Sequence, residues 1–548
     1  MGLLMTGKLT IGEFLLQAVK DAGVKSVFGI PGDMVIRFFK IIEDDPNLKL
    51  YTFSHEPGVG FAAVAAARAT GNPSVACITY GAGGLNMLNS VACAYAEKTP
   101  VIIISGGPGN SERIKDSFLH HMVKDFDSQL KVFSEVTKEA ILLDSPVTAR
   151  EKILHAVKTC QEFMLPIYIE IPRDTVDKEI TVSEQEIPNI IPDQSAIREA
   201  ADEILLRFSA AKSPLIVIGV EIDRFKLNKP ALDLAKRLGV PIVSDFLGRN
   251  AMPRDDPHYF GTYLGAAGNP VARELVENSD CLLMLGTILA DTNLGLRLKK
   301  LKKENLILSF SRKVLMGYHE YDEVPLGLLV EELLSRNLQR KGLNFPAKPE
   351  LVLNKACKYE KERVVTVKEI VDAINWFFGK YGEMPVVSDT GDCLFVTTKI
   401  ETPSVIADPY YASMGFGVPA AIGYAVSTGK RPLVLLGDGG FQMTGQEICH
   451  CPRYGINPIF IVFNNTRWGM QQLFYPTAKF NELVNWPYAK IAELWGGKGY
   501  FCDSCDSLYR SLEEAHGNKE FSLIEAVIAK EELSDELLAW IKELHLQQ

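Results

Sequence analysis

The feature that most constrains this chain is a recurrent alternation of short, β-branched apolar runs with stretches of helical spacing. The runs are SVFGI, SVACITY, PVIIISG and PIYIEI, then PLIVIGV, PIVSDF, CLLMLG and LILSF, then PVVSD, RPLVLLGDG, PIFIVFNN and FSLIEAVI. A strand with one face in water alternates apolar and polar residues; these runs do not, so both of their faces must be covered. The helices between them supply the long crossovers that parallel neighbours require. The expected fold class is therefore α/β, with three doubly wound parallel-sheet domains. Polar, proline-bearing stretches, VSEQEIPNIIPDQSA ending at Ala196 and LQRKGLNFPAKPE from Leu338 to Glu350, read as linkers. They divide the 548 residues into domains at 1–182, 196–340 and 355–548, since one core rarely grows to such a length. Two helical segments, EPGVGFAAVAAARA from Glu56 and MGFGVPAAIGYAVS from Met414, are rich in small residues, as a helix must be to pack closely on a neighbour.

Composition narrows the partners. Lys and Arg total 58 against 68 Asp and Glu, a net charge of −10, and no basic stripe is available to displace the counterions of nucleic acid. No run approaches the roughly 20 apolar residues of a membrane-spanning helix, so no membrane partner is expected. MGLLMTGKLTIGEFLLQAVKDAG resembles a first amphipathic helix rather than a secretion signal, and a cytoplasmic protein is expected. Ten cysteines scattered over this length do not make a disulfide framework. Cys449-His450-Cys451 would send adjacent ligands to different helix faces, which argues against zinc. CDSC, from Cys502 to Cys505, is expected not to open a helix after a strand, which argues against a redox pair.

The chemistry is concentrated in GDGGFQMTGQEICHCPRYGINPIFIVFNNTRWGMQQ, which begins at Gly437. Gly437 and Gly439 flank Asp438 at the carboxyl end of an apolar strand, the edge at which parallel α/β sheets take ligands. Glycines there let backbone N–H groups approach a phosphate, and the following helix presents its positive end to it. A carboxylate in the same turn would repel that phosphate unless a cation lay between them. Asp438 therefore implies Mg²⁺, a hard ion commonly shared with phosphate oxygens. PIFIVF then returns as the neighbouring strand and delivers Asn464 and Asn465 beside the turn, where an amide oxygen and a nearby backbone carbonyl can complete the shell. GDG alone is more often a tight turn; GDG and NN separated by a helix and a strand form a more specific unit.

Other motifs fall in a definite order: FGIPGD with Asp33, SHEPGVGFAA with Glu56, YGAGGLNMLNSVACAYAEKTPVIIISG, LHH with His120 and His121, SDTGDCLF, YYASMGFGVPAAIGYA, and GDG followed by NN. The set resembles the thiamine-diphosphate-dependent 2-oxo acid decarboxylases, most nearly the phenylpyruvate and indolepyruvate decarboxylases, over essentially the whole chain. The resemblance implies pyrimidine-binding, Rossmann-like middle and diphosphate-binding domains. It also implies non-oxidative decarboxylation of a 2-oxo acid to an aldehyde and CO₂ with thiamine diphosphate and Mg²⁺. The cofactor is the electron sink, and the protein supplies tautomer, orientation and a dry pocket.

By the same resemblance Glu56 bonds the aminopyrimidine ring of the cofactor, while Asp33, His120 and His121 move protons, a task that suits imidazole near neutrality. Ala412 offers its carbonyl to the 4'-amino group, and Met414 wedges beneath the cofactor. Gly391, Asp392, Gly439 and Gly440 lie at turns that hold the diphosphate. Asp438, Asn465 and the carbonyl of Arg467 hold the metal. Thr79, Asp291, Trp468, Met470, Gln471 and Phe474 are candidates for the substrate pocket. The family shares each active site between subunits, which implies at least a homodimer, with a homotetramer as a common assembly.

Two points qualify the match. GFGVPA from Gly415 fits a dinucleotide fingerprint but follows no clear apolar strand and has no acidic ribose partner, so neither NAD nor FAD is expected. Many pyruvate decarboxylases carry a catalytic glutamate where this chain has Gln471, and an amide neither donates nor accepts a full proton. That departure favours large aromatic or long aliphatic 2-oxo acids, for which flexible Met470 and short Thr79 leave room. A carboligase of the acetolactate synthase type, and a thiamine-diphosphate-binding protein without turnover, stand as alternatives.

Overall fold

A computed structural model describes residues 8–181, 191–296, 301–336 and 360–545. Three sheets follow one another along the chain, and every apolar run named above contributes a strand. The first is six-stranded and parallel, in the spatial order Lys49–Thr52, Ser26–Gly29, Ser74–Ile78, Val101–Gly107, Ile167–Pro172, Glu139–Leu142. The third is also six-stranded and parallel: Val405–Ile406, Val386–Ser388, Leu433–Gly437, Ile459–Asn464, Ser522–Val527, Lys498–Cys502. Their central strands are buried along their whole length, as continuous apolar runs require.

The middle sheet departs from the all-parallel expectation. Tyr259–Thr262, Ile242–Ser244, Pro214–Ile218, Cys281–Leu285 and Leu306–Phe310 run parallel, but Lys313–Met316 and His319–Asp322 extend the sheet as an antiparallel meander. Their sequence, KVLMGYHEYD, is too polar to stand out as a buried strand. Lys8–Thr10 and Glu179–Thr181 add a small antiparallel pair. Thr10 then starts the first helix, Ile11–Asp21, by a reciprocal cap with Glu13. The linker stretch from Leu338 to Glu350 and much of the one ending at Ala196 lie outside the described residues.

The two small-residue helices pack on each other. Glu56–Thr70 from the first sheet lies against Gly417–Thr428 from the third, so close that a Cβ on Gly423 would stand 2.2 Å from the Ala62 carbonyl oxygen. Phe61 and Phe416 meet edge to face at 5.6 Å beside this crossing. Among the described residues no helix is long and apolar enough to cross a membrane.

One local expectation is corrected. CDSC does open a helix after a strand: Lys498–Cys502 ends on its first cysteine and Cys505–Gly517 begins on its second, capped by Ser504. Burial, not secondary structure, keeps these thiols inert. Both are fully buried, and burial pushes the Cys502 thiol up to about 11, so little reactive thiolate forms at neutral pH. His450, between its two cysteines, is engaged by Glu447 at 3.2 Å and Ser54 at 3.0 Å.

Candidate active site

One cluster of functional side chains gathers at the carboxyl edge of the first sheet. Ser26–Gly29 and Ser74–Ile78 are neighbouring strands, and the turns after them carry Asp33 and Thr79. Lys49–Thr52 leads into Glu56, the first residue of its helix, where a carboxylate suits the positive end of the helix. The Glu56 carboxylate accepts a 2.7 Å hydrogen bond from the Asn86 side chain. Glycine backbone closes tightly on these side chains: a Cβ on Gly32 would stand 2.4 Å from the Thr79 side chain, and one on Gly83 would stand 3.0 Å from that of Thr79 and 3.4 Å from that of Glu56.

His120 and His121 reach the same place from the loop before Ser128–Ser134. A ring nitrogen of His120 lies 2.7 Å from Asp33, the two imidazoles are 4.9 Å apart, and Arg173 approaches Asp33 at 3.6 Å. Partial burial works against the charge on Asp33. The bond and field of His120, with the fields of His121 and Arg173, outweigh it and hold the carboxyl below its usual range. Asp33, Glu56, Thr79, His120 and His121 thus lie together at this edge of the sheet.

The second cluster is built on the third sheet. Leu433–Gly437 and Ile459–Asn464 are parallel neighbours with Gly437 opposite Phe463, so the turn after the first strand meets the turn after the second. Asp438 is only 3% exposed and accepts from the Gly439 N–H at 2.8 Å and the Thr466 N–H at 2.6 Å. Asn465 accepts from the Arg467 N–H at 3.0 Å. Burial pushes the Asp438 carboxyl up to about 6 despite these bonds, the condition that a bound cation would relieve. A Cβ on Gly391 or Gly437 would meet nothing within 4 Å, so the facing turns leave open space beside this carboxylate. Oxygen donors and open glycine turns together fit a divalent cation carrying a diphosphate.

The other residues around this turn have varied roles. Gly439 lies under the Trp468 ring, which a Cβ would meet at 2.2 Å, and a Cβ on Gly440 would stand 3.0 Å from the carboxylate of Asp389. Asp392 turns away: its carboxylate accepts from the Ser534 N–H at 2.8 Å and from the Ser534 hydroxyl, tying down the helix Asp535–His545. That leaves the turn at Gly391 only its backbone to offer a ligand. Ala412 sits at φ 57°, a strained conformation for a residue with a Cβ, held by the Asp408 carboxylate through the Ala412 and Ser413 N–H groups at 3.2 and 2.8 Å. Met414 is half-buried just beyond.

The candidate pocket residues do not all meet. Gly469–Gln472 is a short helix on which Met470 packs toward the third sheet's core while Gln471 is exposed, and Phe474 follows at 39% exposure. Asp291, in the middle domain, folds back onto the Thr292 N–H at 2.8 Å. Among the described residues, the hydrogen bonds joining the first and third sheets around Glu56 run from Thr52 to Tyr454 and from Ser54 to Glu447 and His450, not between the two clusters.

Sequence reasoning passed over two residues. Asn86, in GLNMLN, is recognisable only once the short helix Ala82–Asn86 lies against Glu56. Asp389, in SDTG after an apolar strand, accepts from Thr390, Gly415 and Gly417 N–H groups at 2.8, 3.1 and 2.9 Å. It fills the glycine turn of GFGVPA with the protein's own carboxylate, where a dinucleotide fingerprint would place a phosphate.

Known proteins match along the whole chain. Residues 9–131, 201–326 and 389–526 correspond to the thiamine pyrophosphate enzyme N-terminal TPP binding domain, central domain and C-terminal TPP binding domain, the pyrophosphate being another name for the diphosphate. An indole-3-pyruvate decarboxylase of Azospirillum brasilense is 40% identical over 544 residues, covering 98% of this chain and 99% of that protein. Pyruvate decarboxylase 4 of Arabidopsis thaliana is 29% identical over 556 residues, covering 98% and 91%. The crystal structure of benzoylformate decarboxylase from Polynucleobacter necessarius has the same fold, with a TM-score of 0.76 at 20% identity over 96% of this chain and 99% of that one. Matched in each of its three domains and end to end by a decarboxylase, the chain belongs to the thiamine-diphosphate-dependent 2-oxo acid decarboxylases, a family of carboxy-lyases.

Proposed function

We propose that the preferred substrate is a large 2-oxo acid, either aromatic, such as phenylpyruvate or indolepyruvate, or branched or long-chain. The observation that carries this reading is Gln471: an exposed, uncharged side chain stands where many pyruvate decarboxylases have a catalytic glutamate, with Met470 and Phe474 beside it. The end-to-end similarity to an indole-3-pyruvate decarboxylase supports it. A substrate panel for the purified enzyme, coupled to an aldehyde reductase with thiamine diphosphate and Mg²⁺ present, should give the higher kcat/KM for the large acids. A higher kcat/KM for pyruvate than for all of them would refute the proposal.

Thiamine diphosphate, when bound, supplies the electron sink for loss of CO₂. Asp438, Asn465 and the Arg467 carbonyl would hold Mg²⁺, and the turns at Gly391, Gly439 and Gly440 would hold the diphosphate. Glu56, steadied by Asn86, would bond the pyrimidine ring, and Asp33, His120 and His121 would move the protons. Thr79 would line the substrate side of this cluster.

We infer further that the two clusters meet across a subunit boundary in at least a homodimer, with a homotetramer as its doubled form. Ile114, Phe118 and Val123 around the histidines, and Tyr475, Phe480 and Val484 beyond Gln471, are all more than 60% exposed, an apolar surface that a partner subunit would cover. Mixing Glu56→Gln with Asp438→Ala subunits should restore activity at a fraction of sites. Two inactive parents that give no rescue would refute the shared site.

A further inference from the structure

Beneath the histidine cluster lies a buried polar network that none of the roles above uses. Glu170, on the strand Ile167–Pro172, has no exposed surface. One of its oxygens accepts from the fully buried Tyr168 hydroxyl at 2.9 Å, and the other from the Arg113 guanidinium at 2.9 Å. Arg113 also bonds Asp127 at 3.2 Å, so a single guanidinium closes the base of the loop that carries His120 and His121 and plants it on the sheet. Within the subunit the loop is otherwise held by the His120–Asp33 contact and by the Tyr80 hydroxyl, which donates to the Phe126 carbonyl at 3.2 Å, while Ile114, Phe118 and Val123 are 63%, 80% and 61% exposed.

A second arm runs through Gln129, which is 1% exposed. Its amide nitrogen donates to the Tyr168 hydroxyl at 2.6 Å and to Ser105 at 3.0 Å, while its oxygen accepts from the Gly81 N–H at 2.6 Å. Gly81 in turn abuts His121, whose carbonyl oxygen would lie 2.0 Å from a Cβ there, and His121 itself sits at φ 68°. The network therefore grips the histidines from both sides, through the loop base and through the turn after Thr79.

We propose that Glu170 is a positioning residue for the reaction: through Arg113 it anchors the 113–127 loop, and through Tyr168 and Gln129 it fixes the turn against which His121 rests. The proposal rests on the proton-moving role given to Asp33, His120 and His121. The anchor depends on the charge of Glu170. Burial pushes its carboxyl up to about 7, against the Tyr168 hydroxyl and Arg113, which favour the anion, and with Asp127 adding to the rise. The Tyr80 ring also lies in its field, and Asp144 lies in that of Arg113. Below about pH 7 Glu170 takes up a proton, Arg113 loses its charged partner on the sheet, and the loop opens more often.

The test compares the full-length wild type with Glu170→Gln and Arg113→Gln at pH 8. The second variant changes a side chain outside the sheet, 16% exposed, so the loop can still be read if the first fails to fold. Amide hydrogen exchange across residues 113–127 should quicken about tenfold in either variant, the scale of one charge-assisted bond. kcat should fall with it while KM and the affinity for thiamine diphosphate hold. The wild-type kcat/KM should decline on the acid side with an apparent pKa near 7 that Glu170→Gln lacks. Unchanged loop exchange in both variants would overturn the proposal. Faster exchange with undiminished kcat would uphold the anchor and overturn the proton-moving role of the histidines.

Discussion

Replacing Gly423 by alanine perturbs the contact that sets the first sheet against the third. The Cβ would stand 2.2 Å from the Ala62 carbonyl oxygen and 2.7 Å from its carbon. The obstruction is backbone, so no rotamer change relieves it, and the two helices must part by about 1 Å to restore ordinary contact in a close-packed interior. Overpacking of this kind costs about 1–3 kcal/mol. Alanine in place of glycine inside a helix returns about 1 kcal/mol. The net loss, up to about 2 kcal/mol, corresponds to a fall of up to about 8 °C in the midpoint of a cooperative unit of about 150–250 residues. Scanning calorimetry on the two proteins under identical conditions measures it. Gly517→Ala is the control: it closes the helix Cys505–Gly517, a Cβ there meets nothing within 4 Å, and its midpoint should hold or rise. If Gly423→Ala melts at or above wild type, the reasoning about this crossing is wrong.

Asn86→Ala removes the bond that steadies Glu56 and should lower kcat about tenfold at saturating cofactor, the worth of one hydrogen bond to a charged group; an unchanged kcat would remove Asn86 from the site. Asp389→Ala leaves the N–H groups of Thr390, Gly415 and Gly417 without their acceptor, so thiamine diphosphate should bind more weakly by titration calorimetry and thermal stability should fall by about 2 kcal/mol or more. Asp245 is fully buried in the middle domain, and burial pushes its carboxyl up to about 7 although the Gly248 N–H and the Asn293 side-chain amide both donate to it. The folded state therefore holds this proton more tightly than the unfolded chain, a stabilisation complete below about pH 4 and lost as pH rises through about 7. Asp245→Asn cannot titrate, so its stability relative to wild type, followed by chemical denaturation, should improve between pH 5 and pH 8; a difference that stays flat with pH would contradict the assignment.

Legibility followed the physics of burial. Strands in the middle of a sheet must be apolar on both faces, so PVIIISG and PIFIVFNN announced themselves. Edge and outer strands such as Lys49–Thr52, Glu139–Leu142 and Lys313–Met316 bear no such requirement and were invisible to the same test. Of the candidate site, the meeting of the Asp438 and Asn465 turns was legible because a glycine turn and a polar pair each end an apolar strand, and the two strands are neighbours. Asn86, Asp389, Gln129 and Glu170 were not, since each acts across distances in the chain that no local pattern encodes.

The sequence by itself determined the α/β class, the three large sheets and the order of the cofactor motifs, because hydrophobic period and turn chemistry are local properties. Only the tertiary structure decided what the small-residue helices pack on, that Asp392 serves Ser534, that the cysteines of CDSC are buried, and that Glu56 leans on Asn86. Those outcomes depend on which surfaces meet once the strands are ordered. That is settled by the packing of the whole chain, and a side chain's neighbours in sequence carry almost no record of it.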